Sequence, residues 1–154
     1  MGIKHLWSIL CKESVINQDD NILHINGVLE ELIITLTPSK LKKGKLPDKI
    51  SIPINYEVVS YWYREKAEKQ ITQKIRYALF DPDKKQLFST EKEVQIPTQT
   101  KRFRSRMKIS GFPVTKQGIY YIKVDVKNKG SKYTNLTELP IDIKIHIQKS
   151  TTKN

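Results

Sequence analysis

The stretch Gly111-Phe-Pro-Val-Thr-Lys-Gln-Gly-Ile-Tyr-Tyr-Ile-Lys-Val-Asp-Val126 decides the fold of this chain. From Ile119 onward, apolar and polar residues alternate along it, with Tyr120, Ile122 and Val124 on one face. A period of two predicts a half-buried β-strand. Gly118 begins this strand after a turn, and Tyr120 is the first residue of its apolar face.

The Gly-x-Tyr start of this strand resembles the tyrosine corner of immunoglobulin-like sandwiches. The immunoglobulin motif reads Asp-x-Gly-x-Tyr-x-Cys, and the same positions here hold Lys116, Gly118, Tyr120 and Ile122. Ile122 stands where the disulfide cysteine would be. The resemblance therefore implies an immunoglobulin-like topology without an inter-sheet bridge, and it implies nothing about immune function.

The remaining alternating segments predict an all-β, immunoglobulin-like Greek-key β-sandwich of about seven to nine strands. We expect 119–126 to pair with 71–80 and 139–147 in one sheet. Segments 50–63 and 102–109 would lie in the other sheet, completed or extended by the N-terminal residues. Residues 1–148 are predicted to form one domain, with a two-stranded N-terminal unit (4–36) packed on it. Residues 149–154 are predicted to be a disordered tail.

The N-terminal half resembles a family of small uncharacterised bacterial proteins. The resemblance rests on a strand with a cysteine, a Leu-x-Ile-x-Gly motif and a later Asp-Pro-Asp turn. The matching residues are Cys11, Leu23, Ile25, Gly27, Val28, Leu29 and Phe80-Asp-Pro-Asp-Lys84. Leu29 stands where Phe is usual, and Lys84 replaces the glycine of the turn. The resemblance implies a bacterial β-sandwich protein and offers no activity.

The length of the chain and its cysteine content indicate how it is stabilised and in which compartment it is found. A chain of 154 residues is long enough to bury a core without disulfides, and its single cysteine favours a reducing compartment. The longest apolar run near the start, 6–11, is too short to span a bilayer. We predict a protein in the cytoplasm with no membrane contact.

Catalytic and metal-binding patterns are weak, so no enzyme, no metal and no cofactor is predicted. His5, His24 and His146 lie singly on three predicted strands without metal-ligand spacing, although His5 and His24 could meet across the first hairpin. Cys11 shares the parity of its apolar neighbours, which favours a buried thiol over a nucleophile.

The charge is unevenly distributed. Of the net charge of +12, residues 1–100 carry 15 Lys+Arg against 13 Asp+Glu, and residues 101–154 carry 13 against 3. The most regular alternation falls in the basic half, where Phe103, Ser105, Met107 and Ile109 are predicted to face inward. The outward residues, with Lys101 beside them, form what we call the basic ladder: Lys101, Arg102, Arg104, Arg106 and Lys108.

Two functional hypotheses follow. The first is a non-catalytic binding or assembly module that contacts a protein partner through the sandwich. The alternative is a protein that binds nucleic acid or another polyanion through the basic ladder, because arginine suits bidentate contacts to phosphate or carboxylate. A solvated strand face would carry the same residues. Aromatic stacking partners cannot be placed on the ladder's face from the pattern alone, so base stacking is not predicted.

Overall fold

The computed structural model describes residues 3–149, which form nine β-strands and one 3₁₀ turn, with no α-helix in that range. The strands are β1 (Ile3–Ile16), β2 (Leu23–Val28), β3 (Glu31–Leu36), β4 (Ile50–Arg64), β5 (Ile71–Phe80), β6 (Gln86–Ile96), β7 (Arg102–Val114), β8 (Gly118–Lys127) and β9 (Tyr133–Ile147). The 3₁₀ turn is Pro38–Lys40. Within 3–149, no helix has the length and apolar character needed to cross a membrane.

The strands form two sheets, β2-β1-β4-β7 (the first sheet) and β3-β9-β8-β5-β6 (the second sheet). Each pairing is antiparallel, except that β3 runs parallel to β9. This immunoglobulin-like sandwich confirms the predicted fold class. The predicted pairing of β8 with β5 and β9, and of β4 with β7, is also confirmed.

The N-terminal unit differs from the prediction, because residues 4–36 contain three strands and belong to both sheets. Gly27 has φ +66°, a conformation that glycine adopts without strain, and Leu29 just after it is buried. The chain then crosses to the second sheet, where Ile34 and Leu36 bury themselves beside β9. The tail predicted for 149–154 lies, apart from Lys149, outside the described residues.

Several strand boundaries also differ. β9 begins at Tyr133 rather than at 139, because polar residues of this segment find polar partners on β8. Asn135 donates a hydrogen bond from Nδ2 to Asp125 at 2.8 Å. β6 is one continuous strand, since its charged centre pairs with β5 through Glu93 opposite Lys74. The pairing of β4 with β7 shifts register between Ile52 and Asn55, where Pro53 has no backbone N–H to donate.

The tyrosine corner is formed as the sequence predicts. Tyr120 is fully buried, and its hydroxyl donates a hydrogen bond to the Lys116 carbonyl oxygen at 2.7 Å. The Tyr120 hydroxyl oxygen in turn accepts hydrogen bonds from the backbone N–H groups of Thr115 at 2.9 Å and Lys116 at 3.1 Å. One side chain thus holds the turn between β7 and β8 against the core.

The first hairpin lies over the outer face of the first sheet. β1 stops pairing with β4 at Cys11 and continues to Ile16 paired with β2. Ser14 in this extension donates a hydrogen bond to the carboxylate of Glu57 at 2.5 Å. Glu57 and Val59 point away from the core and are nevertheless buried. We call residues 12–28 the covering hairpin.

The burial of Cys11, expected from its parity, is confirmed: its side chain is 0% exposed. Burial, together with smaller contributions from the nearby carboxylates of Glu57 and Glu13, raises the pKa of the thiol to about 11. At neutral pH the group is therefore a thiol with little of the reactive thiolate.

The tyrosine corner gives a prediction with an internal control. Tyr120→Phe should lower the free energy of unfolding by about 1–2 kcal/mol, because three backbone groups lose their partner. Tyr56 has a buried hydroxyl with no hydrogen-bond partner among the described residues. Tyr56→Phe should leave stability unchanged or raise it. Urea denaturation measures both, and equal losses in the two variants would contradict this assignment of the corner.

The position of Cys11 gives a second prediction. A thiol reagent should label the native protein slowly at pH 7, with a rate that rises about tenfold per pH unit towards the thiol pKa. The folded state holds the thiol proton more tightly than the unfolded chain, whose cysteine has a pKa of about 8.5. The free energy of unfolding should therefore fall as pH rises from about 8.5 towards 11.

Ser14→Ala should speed this labelling, because the covering hairpin loses its hydrogen bond to Glu57. The control is Ser89→Ala, at an exposed position on β6. Rapid stoichiometric labelling of the native wild-type protein would contradict the buried position of Cys11.

Candidate polyanion-binding surface

The orientation of β7 is set by a buried hydroxyl. Ser105 is 2% exposed and accepts a hydrogen bond from the Trp62 indole N–H at 2.8 Å. Its oxygen also lies 3.2 Å from the hydroxyl of Tyr77, which belongs to the second sheet. Ser105 therefore faces the core, and because alternate residues share a face, the even-numbered residues from Arg102 to Lys108 face outward. The predicted phase of the ladder is confirmed.

The ladder residues are not equivalent. Lys101, Arg102 and Lys108 are exposed, whereas Arg104 and Arg106 are half-buried. Arg104 donates from Nη2 to the carbonyl oxygen of Asn21 at 2.9 Å. The alternation predicts four cations in one row, with Lys101 beside them. The two central members of this row hold the covering hairpin.

Arg106 makes the second of these contacts, from Nη1 to the carbonyl oxygen of Ser14 at 3.2 Å. A guanidinium has five N–H donors, so most of those on Arg106 are free of this bond. The acceptors at both arginines are neutral carbonyls, and none of the seven ion pairs found within 3–149 involves a ladder residue. No acid of the described chain thus forms an ion pair with a ladder residue, and the nearest acid in the strand register, Glu57 opposite Lys108, is bonded to Ser14.

A cleft of about 620 Å³ opens beside the ladder. It is lined by Ile16, Lys92, Arg104, Arg106, Met107 and Lys108. We call it the basic cleft, since four of its six lining residues are cations and none is an acid. It lies on the side of the sandwich where the two edge strands, β6 and β7, come near each other.

Lys92 is the cleft residue that the sequence did not reveal. It holds an inward-facing position on β6, in phase with Val94 and the buried Ile96, and is half-buried. Its ammonium donates a hydrogen bond to the carbonyl oxygen of Arg106 at 2.7 Å. The sequence signal for it is a lysine at an inward-facing position of β6, which is evident only when 86–96 is known to be one strand.

The outer face of the first sheet carries aromatic residues beside the ladder, which corrects the expectation that none could be placed there. Strand pairing sets Tyr63 opposite Arg102, and Tyr61 opposite Arg104. Trp7 of β1 pairs with Tyr61 from the other side, with ring centroids 5.5 Å apart and a 39° angle between the planes. All three rings are partly exposed. The sequence signal for this placement is that Tyr61 and Tyr63 alternate with the core residue Trp62, so they face the opposite side of β4.

A buried arginine fixes the loop that leads into the ladder. Arg64 is 2% exposed and donates to the carbonyl oxygens of Thr100 at 2.6 Å and Lys69 at 2.7 Å, and also to that of Pro97. Its backbone N–H donates to the carbonyl oxygen of Lys101 at 2.9 Å. The start of β7 is therefore held in place by a cation whose partners are backbone carbonyl oxygens.

The histidines do not come together. His5 lies in the first sheet, with its Nε2 2.7 Å from the Ser8 hydroxyl and its ring 5.1 Å from that of the buried Trp62. His24 pairs with Val15 on the covering hairpin. The suggested meeting of His5 and His24 is wrong, because the first hairpin pairs only residues 11–16 of β1 with β2. Within 3–149, no cluster of three or more metal-ligating side chains is present.

Comparisons with known proteins give only distant structural similarity. No protein-family model matches the sequence, and no curated protein matches it. Among solved structures, the chain is similar to part of β-glucuronidase 2 of Bacteroides uniformis, in a D341A D367A calcium-binding mutant (14% identity, TM-score 0.43) and in a form covalently bound to cyclophellitol-6-carboxylate aziridine (11%, 0.44). It is also similar to a Bacteroides uniformis β-glucuronidase (14%, 0.42). Each match covers 60% of this chain and 12% of the other.

Proposed function

We propose that this protein is a non-catalytic binding module whose ligand is a polyanion, held at the basic cleft and along the adjoining ladder. One observation carries the proposal: Lys92, Arg104, Arg106 and Lys108 line a single cleft that contains no acid. Like charges held this close repel one another unless an anion or solvent compensates them. An anionic ligand would relieve that repulsion directly.

The geometry of the donors supports the same ligand class. Arg104 and Arg106 are fixed by the carbonyl oxygens of the covering hairpin, so little side-chain freedom is lost when their remaining N–H groups bind an anion. Lys92 approaches from the opposite sheet and gives the cleft a second wall of positive charge. Phosphate, sulfate or carboxylate groups repeated along a chain fit such a surface.

The proposal includes a cellular location, the bacterial cytoplasm. A cytoplasmic protein of bacterial type, as the resemblance of the N-terminal half implies, would meet polyanions in quantity. The single, fully buried cysteine supports a reducing compartment. The hypothesis of a protein partner stays a prediction, because the described residues offer no contact surface as specific as the basic cleft.

Retention on a heparin column over a salt gradient tests the proposal. The double variant Lys92→Gln/Lys108→Gln should elute at clearly lower salt than wild type and should show a salt dependence reduced by about two charge contacts. The matched control is Lys43→Gln/Lys45→Gln, which removes the same charge from exposed positions in the loop 37–49. Its elution should shift much less.

Equal shifts in the two double variants would contradict a localised site, because net charge alone would then explain retention. Elution of the wild-type protein at low salt would contradict polyanion binding altogether. Thermal melting should be nearly unchanged for the control, since exposed charges contribute little to stability.

A further inference from the structure

We propose that the polyanion is a single-stranded nucleic acid, whose bases stack on Trp7, Tyr61 and Tyr63 while its phosphates contact the adjoining arginines. This inference rests on the proposed function and narrows its ligand class. It joins two features of one sheet face, the aromatic rings and the basic ladder, which strand pairing places side by side.

The pairing arranges this face in rows that run across three strands. One row is Lys4, Tyr63 and Arg102, and the next is Trp7, Tyr61 and Arg104. Residues directly opposite in an antiparallel sheet share a face and lie about 5 Å apart, so each arginine adjoins a ring. Successive rows are about 6.8 Å apart along the strands. We call these two rows the aromatic platform.

The covering hairpin marks where the platform ends. The two rows that follow are Ile9, Val59 and Arg106, then Cys11, Glu57 and Lys108, and the hairpin lies over their β1 and β4 members. Cys11, Glu57 and Val59 are accordingly buried, whereas the rings of the platform keep part of their surface open. The open part of the sheet face is therefore the part that is aromatic.

The combination of residues selects single strands. Every base presents a π-face, and stacking on aromatic side chains together with a basic track for the backbone is how proteins bind single strands without reading sequence. A duplex hides its base faces in the helix and offers only phosphates. The positive charge extends from the platform into the basic cleft, since Arg104 belongs to both. A strand lying along the platform would thus lead its backbone into the cleft.

Binding of a fluorescein-labelled 15-nucleotide oligothymidine, followed by anisotropy, tests the inference. Tyr61→Val/Tyr63→Val replaces two rings by a strand-favouring side chain without a π-face. We expect its affinity to fall about five- to a hundredfold, with heparin retention unchanged. The control is Tyr121→Val, on the outer face of the second sheet, which should bind like wild type.

A second measurement needs no change in the platform tyrosines. The chain has two tryptophans, and Trp62 is fully buried, so quenching by the oligonucleotide reports on Trp7. Wild type should be quenched on binding, and Trp7→Phe should remove the quenching. This readout decides the question even where the double tyrosine variant does not fold.

The outcomes separate this inference from the proposed function. Retention on heparin without oligothymidine binding would leave an acidic polysaccharide as the ligand and overturn the single-strand inference alone. Equal affinity for a duplex of the same length, or wild-type affinity in the double tyrosine variant, would also overturn it. Binding to neither heparin nor oligothymidine would overturn both proposals.

Discussion

The outward orientation of the basic ladder depends on the hydroxyl of Ser105. It meets the indole of Trp62 and the phenol of Tyr77 in the interior, so it joins a neighbouring strand and the opposite sheet at one point. A buried hydroxyl without partners would cost a few kcal/mol, about 1–3 by mutational measurements, which makes the opposite phase of β7 unfavourable. With Ser105 inward, every second residue from Arg102 to Lys108 must face outward.

The covering hairpin then divides that outward face. Where it lies over the sheet, Glu57 and Cys11 are buried and the two central arginines of the ladder are held by main-chain carbonyls. Beyond it, the rings of Trp7, Tyr61 and Tyr63 remain partly open. Carbonyl acceptors orient a guanidinium without cancelling its charge. Arg104 and Arg106 are therefore held in position although neither forms an ion pair with an acid. Carboxylate partners in the same positions would have fixed these side chains equally well and left no positive surface.

The sequence predicts what depends on local alternation. Tyr120 and its glycine predict the corner, and the phase of β7 follows from residues 102–109 alone, because both signals involve residues close together in the chain. The path of the covering hairpin depends on contacts such as Ser14 with Glu57, 43 positions apart, for which alternation gives no sign. The same holds for Lys92: its inward position is visible only when β6 is known to be one strand. The basic ladder was thus predictable, whereas the cleft and the aromatic platform required the three-dimensional arrangement.

The inward position of Lys92 also bears on how the sandwich ends. β6 is the outermost strand of its sheet, and a long, free strand edge can recruit another strand and start aggregation. A further strand could pair with the free edge of β6 and extend the sheet. Its inner face would then either bury the Lys92 ammonium group or displace that group from the Arg106 carbonyl oxygen. Either event is unfavourable, because a charge taken out of water without compensation is costly. The lysine that charges the cleft therefore also protects this protein against association through its own sheet edge.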